Sequence, residues 1–230
     1  MKGVKSLRLF NKFNMKGHKV KGSAFWWEIE ESLAPVNDQD KLPLDAEFVI
    51  VGGGYTGLSA ALTIARQGRL VLVLDSGLPG YGASTRNGGI CSGQIRLSHS
   101  KLSHKFGLSY ADEVYAEGIQ ARLDLAKFCA EEGIECDLQM TGRFTGAMSR
   151  ADYESQSREA ERLNEIIGHK AYMVSKADQH NEIATDLFHG GMVREEIGGF
   201  HPGKFFAGLL RSAQKAGVIV RSNTSVQDVV

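Results

Sequence analysis

Three glycines at fixed spacing mark the first stretch of this chain that could do chemistry. Gly52, Gly54 and Gly57 give the pattern G-x-G-x-x-G after a short apolar run, and an Ala/Leu-rich stretch follows at Leu58–Gln67. Glycine at these positions permits a tight turn, lets a phosphate approach the backbone, and lets a helix pack closely on a strand. A helix that begins at Tyr55 would offer free N–H groups and its positive dipole end to an anion. The pattern therefore predicts that a dinucleotide pyrophosphate binds here, held by Gly52, Gly54, Tyr55, Thr56 and Gly57.

A carboxylate follows at the distance that such a site requires. Asp75 lies 18 residues after Gly57 and directly after a second apolar run, Leu70–Leu74. Dinucleotide folds place at this point the acid that accepts hydrogen bonds from an adenosine ribose. The elements that position these residues are a strand at Phe48–Val51, predicted to be buried on both faces, a helix and a second strand. This α/β unit leaves NAD(H) and FAD both open as ligands.

The same stretch has two other interpretations besides dinucleotide binding. One is a buried βαβ unit without a ligand, for which three consecutive glycines would be a costly way to build a turn. The other is a membrane span, because Phe48–Ala65 contains 18 residues without a charge. The glycines lower its hydropathy and would break a spanning helix, so no membrane span is predicted.

Composition sets broad limits on the rest of the chain. The 230 residues carry no formal net charge, so nothing global points to nucleic acid. Residues 1–27 hold seven Lys or Arg and no acid, a pattern interpreted as a solvated, partly disordered tail and not a secretory signal. Within it, Trp26 and Trp27 are predicted to anchor the segment on the body of the protein. The three cysteines form no pairwise framework, which favours a reducing cytoplasm, and neither Cys nor His shows metal-ligand spacing.

The later chain alternates helix and strand patterns without internal repeats. Ser109 and Asp112 are read as a capping box that opens a helix ending at Gly133. The remaining predicted elements are a strand at Arg143–Met148, a helix from Ser149 to Ile167, a hairpin or irregular sheet within Leu187–Phe200, a helix from Pro202 to Gly217, and β-branched runs at Val218–Val220 and Val226–Val230.

A second glycine cluster, GASTRNGG at Gly82–Gly89, distinguishes between FAD and NAD(H) as the ligand. Together with VGGGYTGLSAA at Val51–Ala61 it resembles the FAD-dependent amine oxidases of the D-amino acid oxidase superfamily, and within them the γ-glutamylputrescine oxidase-like branch. Ser23–Trp27 and the His201-Pro202 pair before a helix are similar to further motifs of that branch. Members of the branch continue for a comparable length beyond the position that matches Val230. The resemblance therefore implies that this sequence corresponds to the N-terminal half of such a protein.

The resemblance implies a Rossmann-like FAD-binding domain with an inserted α+β substrate domain, incomplete at its C-terminal side. It implies domains at 45–108 with 200–230 for FAD and at 109–199 for substrate, after an arm at 1–44. Asp75 would bind the ribose and Arg86 would give charge-assisted bonds to the pyrophosphate. The full set of cofactor residues that it implies is Gly52, Gly54, Tyr55, Thr56, Gly57, Asp75, Ser76, Ala83, Ser84, Arg86, Asn87, Gly88, Gly89 and Val226. Within this set, Asn87, Gly88 and Gly89 would bring backbone close to the flavin ring, and Val226 would lie on a strand whose backbone faces the adenine.

The resemblance also implies an activity, the oxidation of the C–N bond of an amine or amino acid. Hydride passes to the flavin, and O₂ reoxidises the flavin and yields H₂O₂. No catalytic side chain is assigned: Cys91 is interpreted as a small buried filler and His201 as a capping or core histidine. The expected partners are a small amine or amino acid and O₂, with no nucleic acid, in the cytoplasm. The alternative is a non-catalytic flavin-binding chain that needs a separate partner to complete its site.

Overall fold

The computed structural model describes residues 24–27, 42–43, 45–93, 95–166 and 170–229. The chain divides into two compact units, one formed by residues 1–87 with 202–230 and the other by residues 88–201. These divisions fall at 87/88 and 201/202, whereas the functional domains predicted from the sequence divide at 108/109 and 199/200 and stay predictions. Most of the predicted N-terminal arm at 1–44, and Val230 at the end of the last predicted β-branched run, lie outside the described residues.

The helices and strands alternate along both units. In chain order they are β1 (Phe48–Val51), α1 (Tyr55–Ala65), β2 (Val71–Leu74), β3 (Ile90–Cys91), α2 (His99–Phe106), α3 (Leu108–Glu132), β4 (Arg143–Gly146), α4 (Arg150–Ile166), β5 (Ala171–Val174), β6 (Gly191–Arg194), β7 (Gly198–Gly199), α5 (Pro202–Lys215) and β8 (Ile219–Arg221). No helix in the described ranges is long and apolar enough to cross a membrane, and the uncharged stretch at Phe48–Ala65 forms a strand, a turn and a helix.

The first unit is built on a parallel sheet, as the predicted α/β class requires. Its strand order is β1-β2-β8, with Phe48 opposite Val71 and Leu72 opposite Ile219. β2 has the apolar sequence VLVL and its first three residues are buried. α1 buries one apolar face, and α5 buries most of its length, so the core lies between these helices and β2. The predicted β-α-β order and the predicted helix at Pro202 are both confirmed.

β1 departs from the prediction that it is buried on both faces. The side chains of Phe48, Val49 and Val51 are 42%, 54% and 62% exposed. β1 is also the edge strand of the sheet, since it pairs only with β2 among the described residues. The apolar run predicted the strand correctly, but burial depends on what packs over it, which a local pattern does not contain.

In its described residues, the second unit holds two small antiparallel sheets and three α-helices. β6 lies between β4 and β5, while β3 pairs with β7. The segment predicted as a hairpin or irregular sheet within Leu187–Phe200 is not a hairpin, because β6 and β7 do not pair with each other; they contribute instead to two separate small sheets. The predicted strand that starts at Arg143 and the helix capped by Ser149 are confirmed: Asp152 N donates to Ser149 Oγ at 3.1 Å.

The start of α3 also differs from the sequence prediction. Ser109 does not cap it, since its hydroxyl donates to Glu113 Oε1 at 3.0 Å and Gly107 is the N-cap residue. A separate helix, α2, precedes it and is capped by Ser98. The capping-box prediction was wrong because Gly107 breaks one helix and begins the next. α3 ends at Gly133 as predicted.

Candidate cofactor-binding site

The first glycine motif forms a tight turn between β1 and α1. Gly52 has φ +101°, a conformation that side chains other than glycine rarely adopt. Its N–H donates to Leu74 O at 2.8 Å, which fixes the turn to the end of β2. A Cβ at Gly57 would lie 2.0 Å from Gly52 O, so only glycine lets α1 approach the turn this closely. The backbone thus has the shape that the glycine spacing predicted.

The N-terminus of α1 presents donors that the protein itself does not use. In the described part of the chain no acceptor takes the N–H groups of Gly54, Thr56 or Gly57. The N–H of Tyr55 donates to Ser84 Oγ at 3.0 Å. Free N–H groups at the start of an 11-residue helix, with its dipole behind them, suit a phosphate.

The Asp75 carboxylate lies at the end of β2 and holds two backbone segments. Its Oδ2 accepts from Gly53 N at 2.8 Å, and its Oδ1 accepts from Gly77 N at 2.9 Å. Each carboxylate oxygen has a second lone pair, so both can still accept a hydrogen bond from a ligand hydroxyl. Asp75 is half-buried and the adjacent Ser76 is exposed. Asp75 therefore shapes the glycine turn as well as offering acceptors beside it.

The second glycine motif folds back onto the first. Residues Ala83–Thr85 form a short 3-10 turn, and Asn87 Nδ2 donates to Ser84 O at 2.8 Å and to Ala83 O at 3.2 Å. A Cβ at Gly54 would lie 2.9 Å from Ser84 Oγ, so the two motifs are in contact at this point. The structure thus brings the predicted residues from Ala83 to Asn87 into the unit that holds the first motif.

The last two glycines of the second motif belong to the other unit. Gly88 is exposed, whereas Gly89 is buried and its carbonyl accepts from Phe200 N at 2.8 Å. This bond continues the pairing of β3 with β7. The predicted role of Gly88 and Gly89 beside a flavin ring stays a prediction.

The chain after β8 runs beside Asp75. Thr224 N donates to Asp75 O at 2.7 Å, and Asn223 N donates to Gly77 O at 2.9 Å. Val226 follows and is half-buried, but the described residues after Arg221 form no strand. The predicted strand at Val226 is therefore wrong, because these residues make turn-like bonds to the loop after β2 and do not extend the ladder. The predicted contact of Val226 with adenine stays a prediction.

The tryptophan pair is anchored on the second motif, as the sequence predicted. Trp26 Nε1 donates to Asn87 O and Trp27 Nε1 donates to Thr85 Oγ1, both at 2.8 Å. Thr85 is fully buried, and its hydroxyl, which accepts from Trp27, also donates to Gly80 O at 2.7 Å. Trp27 is thus linked through Thr85 to the backbone at Gly80. Sequence reasoning missed Thr85 and Tyr81, whose ring stacks on Trp27 at 4.8 Å between centroids. An aromatic residue and a hydroxyl within a glycine loop were the available signals.

The cysteines and His201 lie in the second unit. Cys129 Sγ and Cys136 Sγ are 3.8 Å apart, and burial raises the pKa of Cys129 to about 12, with a smaller effect from Cys136. Cys91 is buried, as a small filler would be, and burial raises its pKa too. His201 is buried, and its backbone N–H donates to Cys136 O at 2.7 Å. Within the described ranges no group of three ligating side chains could hold a metal ion.

Comparison with known proteins agrees with this geometry. A family model described as FAD dependent oxidoreductase matches residues 47–230. The chain is 28% identical to a probable oxidoreductase, OrdL, of Rhizobium meliloti over 181 residues, which is 78% of this chain and 42% of that protein. It is 28% identical to the gamma-glutamylputrescine oxidoreductase of Escherichia coli over 162 residues, or 69% of this chain and 37% of that protein.

Solved structures show the same fold at lower identity. Glycine oxidase from Geobacillus kaustophilus matches with a TM-score of 0.66 at 21% identity, over 80% of this chain and 48% of that one. L-amino acid deaminase from Proteus myxofaciens matches with a TM-score of 0.67 at 17% identity, over 86% and 42% respectively. The chain thus spans less than half the length of the curated relatives that it matches. The predicted family, fold and cofactor class are confirmed: the chain belongs to the FAD-dependent oxidoreductases of the D-amino acid oxidase family.

Proposed function

We propose that this chain contributes the dinucleotide site of an enzyme that oxidises the C–N bond of an amine or amino acid. One observation carries the proposal: both glycine motifs meet at the N-terminus of α1, where Ser84 Oγ lies 3.0 Å from Tyr55 N and three further N–H groups have no described acceptor. A pyrophosphate supplies the acceptors that such an arrangement lacks. The names of the relatives support an amine or amino acid as the substrate class, since they include a gamma-glutamylputrescine oxidoreductase and a glycine oxidase.

The proposed division of work follows from the contacts. The turn at Gly52–Gly57 and the start of α1 bind the pyrophosphate, and Asp75 accepts from the adenosine ribose. Ala83, Ser84 and Arg86 lie along the phosphates, with the exposed Ser76 beside Asp75. Bound FAD would supply hydride acceptance from the carbon next to the amine nitrogen, with O₂ as the final acceptor of the electrons. These residues of the chain bind and orient the cofactor.

The test measures FAD in the purified chain. We expect the visible absorbance of oxidised flavin, release of FAD on heat denaturation, and loss of this absorbance on anaerobic addition of an amine substrate. Gly54→Val should remove the flavin, because its Cβ would lie 2.9 Å from Ser84 Oγ and its branches would cover the free N–H groups. Ala60→Val is the matched control, since it adds the same side chain to an exposed position of α1.

The outcomes separate the proposal from its alternative. A folded chain that binds no FAD, even with FAD added, would overturn the assignment of the site. FAD that is retained but never reduced by any amine would favour the alternative, a flavin-binding chain that acts with a separate polypeptide. The exposure of Phe48, Val49 and Val51 fits both cases, because apolar residues on both faces of a strand are normally covered, and a continuation of the same polypeptide or a separate one could cover them.

A further inference from the structure

The guanidinium of Arg86 is held by two aromatic rings. Its carbon Cζ lies 4.6 Å from the centroid of Trp27 and 4.2 Å from the centroid of Tyr81. The two rings stack on each other, 4.8 Å apart and inclined by 29°. We call these three residues the Arg86 cluster. All of its members lie in the first unit, although Trp27 is more than fifty residues away from the other two along the chain.

Cation–π contact leaves the hydrogen-bonding capacity of Arg86 intact. The aromatic rings contact a guanidinium through its charge and its faces, whereas its N–H donors point outward in its own plane. No acceptor and no carboxylate in the described part of the chain bonds the Arg86 guanidinium, and the side chain is exposed. The cluster is therefore a fixed positive charge with unused donors, suited to bidentate contact with a phosphate.

Hydrogen bonds of neighbouring residues tie the loop that carries Arg86 to the first glycine motif. Ser84, two residues before Arg86, contacts the N-terminus of α1 through Tyr55 N. On the other side, Trp26 and Trp27 fix the backbone of Asn87 and the hydroxyl of Thr85. The loop that carries Arg86 is thus held at both ends, by α1 and by the tryptophan segment.

We propose that Trp27 and Tyr81 are positioning residues that fix Arg86 for contact with the pyrophosphate of FAD. The inference rests on the proposed function and adds a role for two aromatic residues outside the glycine motifs. Without the rings, the long arginine side chain would lose rotamer freedom on binding the anion. With them, most of that ordering already exists in the cofactor-free chain.

The experiment is a double-mutant cycle on FAD affinity, measured by equilibrium dialysis of the full chain. From the strength of exposed cation–π contacts we expect Trp27→Leu and Tyr81→Leu each to weaken binding by about 2- to 5-fold. Arg86→Met should weaken it by at least about tenfold. Tyr81→Phe keeps the ring and should stay within about twofold of the original chain. In the Arg86→Met background, Tyr81→Leu should cause no further loss, because the cation that its ring contacts is gone.

Each result decides the matter. If the losses from Tyr81→Leu and Arg86→Met multiply in the double variant, Tyr81 does not act through Arg86 and the inference is wrong. The same holds if Tyr81→Leu binds FAD like Tyr81→Phe, a comparison that remains valid should Trp27→Leu fail to fold. If the original chain binds no FAD, the proposed function falls and the inference falls with it. Normal binding by the original chain and by the leucine variants overturns the inference alone.

Discussion

Replacing Gly57 by alanine tests the close contact between α1 and the turn after β1. The added Cβ would lie 2.0 Å from Gly52 O, whereas an ordinary carbon–oxygen contact is ~3.3 Å, so the two must separate by roughly 1.3 Å. Neither side moves freely, because Gly52 N is bonded to Leu74 O at 2.8 Å and Gly57 belongs to a helix. The turn must therefore deform or detach from β2.

The expected cost follows from two opposing terms. Strain of this kind destabilises a protein by about 1–3 kcal/mol, while alanine gains about 1 kcal/mol of helix propensity over glycine. The net loss of up to about 2 kcal/mol should lower the melting temperature by up to about 4–8 °C in a chain of this size. FAD affinity should fall as well, because the N–H groups of Thr56 and Gly57 move with the turn.

The assay is thermal unfolding of the cofactor-free chain by circular dichroism, followed by FAD titration of the same preparation. Ser59→Ala is the control, because it lies on the exposed side of α1 and changes helix propensity without the contact. If Gly57→Ala has the same melting temperature as Ser59→Ala and binds FAD like the original chain, the close-contact argument is refuted.

Three further predictions concern other parts of the chain. Asp75→Asn should cost about 1–3 kcal/mol of stability and at least about tenfold in FAD affinity, since an amide nitrogen would face one of two backbone N–H groups. Ser149→Ala should destabilise the chain by about 1 kcal/mol in urea unfolding, and Ser149→Asp should restore most of it. Because burial raises the pKa of Cys129 to about 12, this thiol should react with iodoacetamide about a thousandfold more slowly at pH 8 than in the unfolded chain.

The raised pKa of Cys129 also predicts how the stability of the chain changes with pH. The folded state keeps the Cys129 thiol protonated up to about pH 12, while the unfolded thiol ionises near its ordinary pKa of 9. The Cys129 contribution is thus fully present below pH 9 and is lost as the pH rises to about 12. A Cys129→Ser chain should show a shallower loss of stability over this range. Equal iodoacetamide labelling of Cys129 in folded and unfolded chains would contradict the cysteine prediction. Unchanged stability of Ser149→Ala would contradict the capping prediction, and normal FAD binding by Asp75→Asn would contradict the Asp75 prediction.

Local signals predicted the βαβ unit well, and long-range contacts account for most of what they missed. The glycine spacing and Asp75 lie within one short segment, so their geometry follows from neighbouring residues. β5 and the partners of β6 depend on strands distant in sequence, which no local pattern reveals. α2 was missed because its sequence HSKLSHKF is mostly polar.

The candidate site shows the same division. The motifs predicted the glycine turn before α1, and they included Ser84, which the structure brings to the start of α1. The phosphate-binding role of these residues stays a prediction. The sequence also predicted that the tryptophans anchor their segment. It did not predict that Trp27 and Tyr81 would meet at Arg86, because the separation of more than fifty residues leaves nothing local to read. The strand expected at Val226 failed because β-branched composition does not supply a pairing partner.

The open position of β1 has a consequence for how the protein behaves in solution. An edge strand that exposes backbone donors and acceptors, together with Phe48, Val49 and Val51, carries none of the charges or prolines that usually discourage strand addition. Such an edge is a template for β-sheet aggregation between chains. When these 230 residues are expressed by themselves, concentration-dependent self-association is therefore expected to begin at β1, the strand that leads into the glycine turn. Aggregation and distortion of that turn would then proceed together.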